Sequence, residues 1–250
     1  MDQRAYGEHA DAEERHWWFA ARRRIVRDVV ASLGLPPPSE VRLLEFGSGT
    51  GGNLPMLAEF GAITALEPND EARAIAGERM PRARHVASLD ELDEHGDAAP
   101  FHAALALDVI EHLDEPEAIL RDVRARLHPG APLVVTVPAH AWMFGDHDRY
   151  LHHRRRYSKP LLRAHLEGGG FSVEWMSFMN CALFPLAIAA RGLEAARARL
   201  RPAREPAARG MELPPAVVNR VFLELFAAER FLIGRGAVPT GLSLIGVARA

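Results

Sequence analysis

Cysteine and lysine are almost absent from this 250-residue sequence, which contains one of each, Cys181 and Lys159. A single thiol excludes a disulfide framework and a thiolate metal site built within the chain. Long apolar runs are also lacking, because the longest, Cys181 to Ala190, is about half of what a transmembrane helix needs. Residues 1–14 are polar and acidic and lack the pattern of an export signal. We therefore expect a cytoplasmic protein that does not span a membrane.

The chain also has little excess of either charge, since 30 basic residues nearly balance 33 acidic ones. The formal net charge is -3, so the whole chain offers no basic field for a nucleic acid, and we expect no nucleic-acid partner. Hydrophobic residues make up 48% and charged residues 25% of the chain, which is ordinary globular composition. The length predicts one substantial core with an elaboration attached to it.

Short apolar strands alternate with helical patterns through most of the chain. A helix is predicted from Glu13 to Leu33, and it ends at Gly34 and the prolines that follow. The predicted strands are Val41–Phe46, Ile63–Leu66, His85–Ala87, Ala103–Leu107, Leu133–Val137, Phe171–Met176 and Ser243–Ala248. Continuous apolar strands are typical of a buried parallel sheet. The pattern predicts an α/β fold with a doubly wound, mostly parallel, seven-stranded sheet.

About sixty residues separate the last two predicted strands, far more than a usual connection. Two amphipathic helices are predicted there, Leu183–Leu200 and Ala216–Ile233. They have three candidate uses: a roof over an acceptor pocket, which we favour, a homodimer interface, or peripheral contact with an anionic membrane. The predicted organisation is a helical cap at 1–38, a ligand-binding domain at 39–180, the helical insertion at 181–237, and the last strand at 238–250.

The segment from Glu45 to Gly51, which reads EFGSGTG, follows the first predicted strand. Small residues at such a turn let a cofactor lie against backbone amides at the start of a helix. With Gly52, the glycines also satisfy the GxGxxG pattern, and the acidic Glu67 follows about twenty residues on, as in nicotinamide dinucleotide sites. The loop alone therefore fits two kinds of cofactor.

Three details favour one of them. Glu45 completes an ExGxGxG signature, and the segment Leu107–Leu113 reads LDVIEHL. In both, the sequence resembles the class I methyltransferases that use S-adenosyl-L-methionine. Third, Arg155 lies four residues before the only lysine, which excludes the Tyr-x-x-x-Lys pair of short-chain dehydrogenases.

The resemblance covers roughly residues 13–180 and is closest to the ubiquinone-type branch of bacterial small-molecule methyltransferases, particularly members encoded near glycan and natural-product genes. It implies a Rossmann-like fold and transfer of a methyl group to a small acceptor, with S-adenosyl-L-homocysteine as product. Two alternatives stay open at this point: an NAD(P)-dependent oxidoreductase and a non-catalytic, cofactor-binding regulatory protein.

The resemblance also implies roles for individual residues. Glu67 is expected to bind the ribose hydroxyls, with Pro68 beside the adenine, and Glu45 to fix the glycine loop and receive the methionyl ammonium through water. The expected cofactor-binding set is Glu45, Gly47, Ser48, Gly49, Gly51, Asn53, Glu67, Pro68, Ser88, Leu89, Asp108, Trp18 and Arg22. Trp18 and Arg22 have two interpretations: they belong to a lid that closes over the cofactor carboxylate, or to an amphipathic helix that only packs on the sheet. The tryptophan ring is expected to pack and not to stack on the ligand.

A sulfonium-bound methyl group is already activated, so the protein mainly has to place the acceptor, exclude water and, where needed, remove a proton. Histidines and aspartates follow the fifth strand, on the side of the sheet where ligands bind in such folds. From these we take His140, His153 and Asp148 as candidate catalytic residues. No metal is expected, because the histidines lack a helical HxxxH spacing.

Overall fold

The computed structural model describes residues 10, 12–94, 100–200, 213–234 and 238–250, without the side chains at 93–94 and 194–200. The strands are β1 (Arg42–Phe46), β2 (Ala62–Leu66), β3 (Arg84–Val86), β4 (Ala103–Leu107), β5 (Pro132–Pro138), β6 (Ser172–Met179) and β7 (Ser243–Arg249). The helices are α1 (Trp17–Ala31), α2 (Leu54–Leu57), α3 (Asp70–Arg79), α4 (Asp90–Glu94), α5 (Pro116–Ala125), α6 (Asp146–Tyr150), α7 (Lys159–Gly168), α8 (Phe184–Leu200), α9 (Ala216–Ala228) and α10 (Arg230–Ile233).

The strands form a seven-stranded sheet in the order β3-β2-β1-β4-β5-β7-β6. β1 to β5 are parallel, whereas β7 runs antiparallel to both β5 and β6. The chain winds outward from β1 to β3 and then returns to place β4 on the other side of β1. This change of direction opens a crevice at the carboxyl ends of β1 and β4, which is where ligands bind in open α/β sheets. The predicted fold class is confirmed.

Apolar side chains fill both faces of the sheet, as the continuous apolar strands require. On one face, Ile25 and Val29 of α1 pack with Phe226 of α9 against β1 and β4. On the other face, Leu120 of α5 and Leu162 of α7 pack against β4 and β5. The crevice therefore lies at the rim of a sheet that is covered on both sides.

The element boundaries follow the sequence pattern with a few differences. The predicted helix Ala216–Ile233 is two helices, α9 and α10, that meet at Glu229. The Glu229 carboxylate accepts hydrogen bonds from the backbone N–H groups of Asn180, Cys181 and Ala182, at 2.6 to 2.9 Å. This contact with the end of β6 is tertiary, so the local pattern does not reveal it. The short helices α4 and α6 were not predicted.

The helical insertion is only partly covered by the rest of the protein. α9 packs on α1, where the Trp17 ring meets Phe222 edge-on at 5.5 Å between centroids. Its outward side leaves Val217, Val221 and Leu225 exposed. No helix among the described residues has the length and apolar character needed to cross a membrane. Residues 1–9 and 11 of the predicted cap, and residues 201–212 and 235–237 of the predicted insertion, lie outside the described part of the chain.

Candidate active site

The glycine loop leaves β1 in a left-handed backbone conformation. Gly47 has a φ of 71°, and a Cβ atom there would lie 2.6 Å from the side chain of Val109. Gly49, with a φ of 54°, would meet nothing within 4 Å. The backbone of Gly49 therefore faces open space, which is what a cofactor lying against the loop requires.

Glu67 links the end of β2 to this loop. Its Oε2 accepts from the Gly49 N–H at 2.9 Å, and its Oε1 accepts from the Asn69 N–H at 2.9 Å. The carboxylate is half-buried, and the neighbouring Pro68 is exposed. Glu67 thus lies at the mouth of the crevice, beside the open side of Gly49.

Glu45, at the end of β1, is fully buried beneath the loop. Asn53 Nδ2 donates to Glu45 Oε1 at 2.8 Å, while Oε2 has no hydrogen-bond partner in the described structure. Burial raises the pKa of Glu45 to about 8, against smaller opposing effects of Asn53 and Arg22. The structure thus places Asn53 as the residue that holds Glu45.

Arg22 of α1 crosses the crevice and pairs with Asp108, which follows β4 with a φ of 59°. The Arg22 guanidinium also lies 4.7 Å from the centre of the Trp18 ring. Arg22 is almost completely buried, and burial lowers its pKa to about 10. The two residues predicted for a lid therefore lie directly against the strand end predicted to adjoin the methionine moiety.

Ser88 and Leu89 follow β3 at the same rim of the sheet. The Ser88 hydroxyl accepts from the Glu91 N–H at 3.3 Å and so caps the short helix α4. Leu89 packs against the core on the α5 side. A hydrogen bond links Glu67 to β3, because the Glu67 backbone N–H donates to the Val86 carbonyl at 3.0 Å.

His140 follows β5 with a φ of 63° and is enclosed by aromatic rings. Phe178 stacks on it at 5.3 Å and Phe184 at 5.0 Å between ring centroids. Partial burial lowers the pKa of His140, which keeps the imidazole neutral at pH 7. The result is an aromatic wall at the carboxyl ends of β5 and β6.

Asp148 is fully buried and holds two other residues in place. Its Oδ1 accepts from His153 Nδ1 at 3.0 Å and from Arg156 Nε at 2.7 Å, and its Oδ2 accepts from the Gly145 N–H. The bonds to His153, Arg156 and Gly145 outweigh burial and hold the pKa of Asp148 well below its usual range. A carboxylate so enclosed has neither the access nor the basicity of a general base, so the structure places Asp148 as a positioning residue for His153 rather than as a catalytic one.

Sequence reasoning missed Glu111, in the loop after β4. Its side chain is fully buried, neither carboxylate oxygen has a hydrogen-bond partner among the described residues, and burial raises its pKa to about 8. Other buried polar atoms without a partner lie near the same rim: Arg22 Nε, Glu45 Oε2, Ser48 Oγ, Asn180 Nδ2 and Asn180 Oδ1. Unsatisfied buried polar groups are rare in folded proteins, and their concentration here indicates a ligand site.

The fold and the crevice define a class of protein: a doubly wound domain that binds a cofactor against a glycine loop at its topological switch point. The chain belongs to the methyltransferase domain family, which it matches over residues 18–195. This match confirms the methyltransferase prediction at the level of the family and goes against the oxidoreductase alternative. No curated protein matches the sequence.

Solved structures show the same fold. Phosphoethanolamine N-methyltransferase 2 from Haemonchus contortus, in complex with S-adenosyl-L-methionine, has a TM-score of 0.53 at 16% identity, over 88% of this chain and 51% of that one. The cyclopropane synthase MmaA2 from Mycobacterium tuberculosis has a TM-score of 0.52 at 13% identity, over 90% of this chain and 83% of that one. Identities this low establish the architecture alone.

Proposed function

We propose that the protein transfers a methyl group from S-adenosyl-L-methionine to a small-molecule acceptor, such as a natural-product, glycan or lipid-linked intermediate. The observation that carries the proposal is the crevice itself, in a member of the methyltransferase domain family: an open glycine loop with a carboxylate at its mouth and unpartnered buried polar atoms inside. Our placement of the chain in the ubiquinone-type branch is part of the same proposal.

The residues present fit this cofactor. The free Glu45 Oε2 and the Arg22 Nε supply one acceptor for an ammonium group and one donor for a carboxylate, which are the two ends of a methionine moiety. Glu67 supplies a carboxylate for the ribose hydroxyls, and Gly47 and Gly49 give the backbone room for close approach. Ser88, Leu89 and Pro68 complete the proposed adenine side.

When bound, S-adenosyl-L-methionine supplies an activated methyl group, so the chain's own task is to position the acceptor and keep out water. We assign acceptor activation to His153, whose Nδ1–H is directed to Asp148 at 3.0 Å, which leaves Nε2 with its lone pair free. His140, neutral and stacked between Phe178 and Phe184, forms the apolar wall against which the acceptor lies.

Only the first of the two insertion helices suits the role of a roof. α8 begins with Phe184, which stacks on His140, and its Arg191 lies 3.6 Å from Asp148 Oδ2. α9 instead packs on α1 and keeps its exposed outward side away from the sheet. We therefore propose that the insertion covers the acceptor side through α8 and holds the α1 lid through α9.

Isothermal titration calorimetry with S-adenosyl-L-methionine and S-adenosyl-L-homocysteine tests the proposal. We expect one site per chain and at least a tenfold loss of affinity in Glu67→Ala. The matched control is Glu78→Ala, which removes an exposed carboxylate from α3 and should bind as the wild type does. Equal affinity in Glu67→Ala and wild type would contradict the assignment. Methyl transfer from the labelled cofactor to a candidate acceptor then excludes the non-catalytic alternative.

A further inference from the structure

Two histidines and a carboxylate converge beside the crevice, outside the set that the cofactor needs. Glu111 and His112 are neighbours in the loop after β4, and His153 comes from the segment after α6. Each offers one potential ligand atom, and these three atoms all lie within 4.8 Å of one another. The rings of His112 and His153 meet edge-on at 4.8 Å between centroids.

One backbone hydrogen bond and one side-chain hydrogen bond hold the two segments together. The Arg154 N–H donates to the Glu111 carbonyl at 2.9 Å, and Arg154 Nε donates to the His112 carbonyl at 3.0 Å. Because Arg154 directly follows His153, these bonds fix His153 beside the other two residues. These bonds bring the main chains of the two segments together, and the three side chains lie side by side there.

The Glu111 carboxylate is the unusual member of this cluster. It is fully buried, and no other residue in the described structure donates a hydrogen bond to either of its oxygens. The two cations that act electrostatically on Glu111 are engaged elsewhere, Arg22 by Asp108 and Arg156 by Asp148. A buried carboxylate without a partner carries a large desolvation cost, which a bound cation would offset.

His153 is also arranged as metal-binding histidines commonly are. Its Nδ1 lies 3.0 Å from Oδ1 of the buried Asp148, which fixes the tautomer and directs the lone pair of Nε2 away from Asp148. Such a carboxylate behind a histidine orients the ring and strengthens it as a ligand. Asp148 would thus be the positioning residue for a metal ligand.

We propose that Glu111, His112 and His153 bind one divalent metal ion of the zinc type. Two imidazoles and one carboxylate suit Zn²⁺ or Co²⁺ better than Mg²⁺ or Ca²⁺, which prefer oxygen ligands throughout. Ligand atoms around tetrahedral Zn²⁺ lie about 3.4 Å apart at bond lengths of about 2.1 Å. The three atoms lie within 4.8 Å of one another, so metal binding requires side-chain rotations that bring them closer by up to about 1.4 Å. Three protein ligands leave one coordination position for a water molecule or an acceptor oxygen.

Metal binding and cofactor binding use different residues, so the metal site itself does not depend on the proposed function. Only the idea that the ion faces the methyl acceptor rests on that proposed function. If an acceptor hydroxyl takes the fourth position through its oxygen, the ion would polarise the O–H bond, and the proton would pass to solvent water as the methyl group is transferred. His153 would then activate the acceptor through the metal instead of removing the proton itself. The absence of HxxxH spacing, on which the sequence-based expectation of no metal depended, does not bear on a site assembled from two separate loops.

Calorimetry on the full-length protein after dialysis against a chelator tests the proposal, with ZnCl₂ as titrant. We expect one Zn²⁺ per chain, at least a hundredfold weaker binding in Glu111→Gln and in His153→Gln, and about ten- to a hundredfold weaker binding in Asp148→Asn. The matched control is His128→Gln, from the neighbouring pair His102 and His128 at the opposite end of β4, whose rings are 4.5 Å apart. That variant should bind Zn²⁺ as the wild type does.

Two further measurements keep the outcomes separate. Co²⁺ added to the stripped protein should give visible absorption bands in wild type and His128→Gln but not in His153→Gln. Titration of S-adenosyl-L-homocysteine into the stripped protein should give unchanged affinity in Glu111→Gln, which shows that the variant is folded and that the cofactor site is intact. Zn²⁺ binding that is absent, or equal in wild type and Glu111→Gln, would overturn the proposal whatever the cofactor result.

Discussion

Gly47 shows how a single residue fixes the shape of the crevice. Its φ of 71° lies in the left-handed region, and an added Cβ would meet Val109 at 2.6 Å. We expect Gly47→Ala to lower the free energy of unfolding by about 1–3 kcal/mol, because both the backbone and the contact are strained. Thermal or urea denaturation measures this change.

The contrast for this prediction is Gly77, which lies within α3 and has nothing within 4 Å of an added Cβ. Gly77→Ala should raise stability by about 0.5–1 kcal/mol, because alanine loses less entropy in a helix. If both substitutions shift stability in the same direction, the assigned role of the Gly47 conformation is wrong.

Glu45 makes stability depend on pH. Its folded pKa is raised from 4.5 to about 8 by burial, with Arg22, Asn53, Glu13 and Glu67 as the other groups that act on it. Between these values the folded protein holds a proton that the unfolded chain releases, so this group's contribution to stability falls as pH rises. We expect the difference in melting temperature, Glu45→Gln minus wild type, to increase from pH 5 to pH 8.

The glutamine keeps an oxygen that can accept from Asn53, so packing is preserved while the titration is removed. A loss of about 1 kcal/mol corresponds to about 2–4 °C in a protein of this size. Glu78→Gln, on the exposed side of α3, should keep the wild-type pH profile. Parallel profiles for wild type and Glu45→Gln would mean that Glu45 is ionised in the folded protein.

At the scale of elements, the lid depends on the contact between α1 and α9. The Trp17 ring lies 5.5 Å from Phe222 and 6.2 Å from Phe226, between ring centroids. The backbone N–H of Trp17, which alanine keeps, donates to Asn219 Oδ1 at 2.9 Å. Trp17→Ala should cost about 2–3 kcal/mol, less than a fully buried tryptophan because the ring is only half-buried.

The control for this packing is Trp142→Ala, since Trp142 is 64% exposed and should change stability by less than about 0.5 kcal/mol. Because α1 also carries Arg22, Trp17→Ala should weaken S-adenosyl-L-homocysteine binding in calorimetry. A destabilised Trp17→Ala with full cofactor affinity would show that α9 supports the fold without holding the lid.

The elements that the sequence predicted well are those with a strong local signal. β4 has the predicted bounds, Ala103–Leu107, since a continuous apolar run marks it. α6, with five residues, is too short to show a helical period. The same holds for the site. A local motif predicts the glycine loop and Glu67. The burial of Glu111 without a donor from another residue depends on how distant segments pack around it, so a local motif cannot predict it.

The histidine and aspartate cluster shows the same limit. The sequence predicted catalytic roles for His140, His153 and Asp148 together, because all three follow the same strand. The structure gives them different surroundings: Asp148 and His153 are bonded to each other at 3.0 Å, whereas His140 stacks with aromatic rings. Tertiary packing decides which of several neighbouring polar residues is buried. The spacing of residues along the chain does not predict this burial.

At the scale of the whole molecule, the crevice and the metal cluster should stabilise the fold independently. A ligand that binds only the folded state at about a hundred times its Kd adds about 2.7 kcal/mol, or about 5–10 °C in melting temperature. S-adenosyl-L-homocysteine should raise the melting temperature of wild type and Glu111→Gln equally, and that of Glu67→Ala by about half as much or less. Zn²⁺ should raise that of wild type and Glu67→Ala but not of Glu111→Gln. The two sites share one loop, because Asp108, which pairs with Arg22, lies three residues before Glu111. If both ligands together raise the melting temperature by more than the sum of their separate effects, each ligand orders this loop for the other.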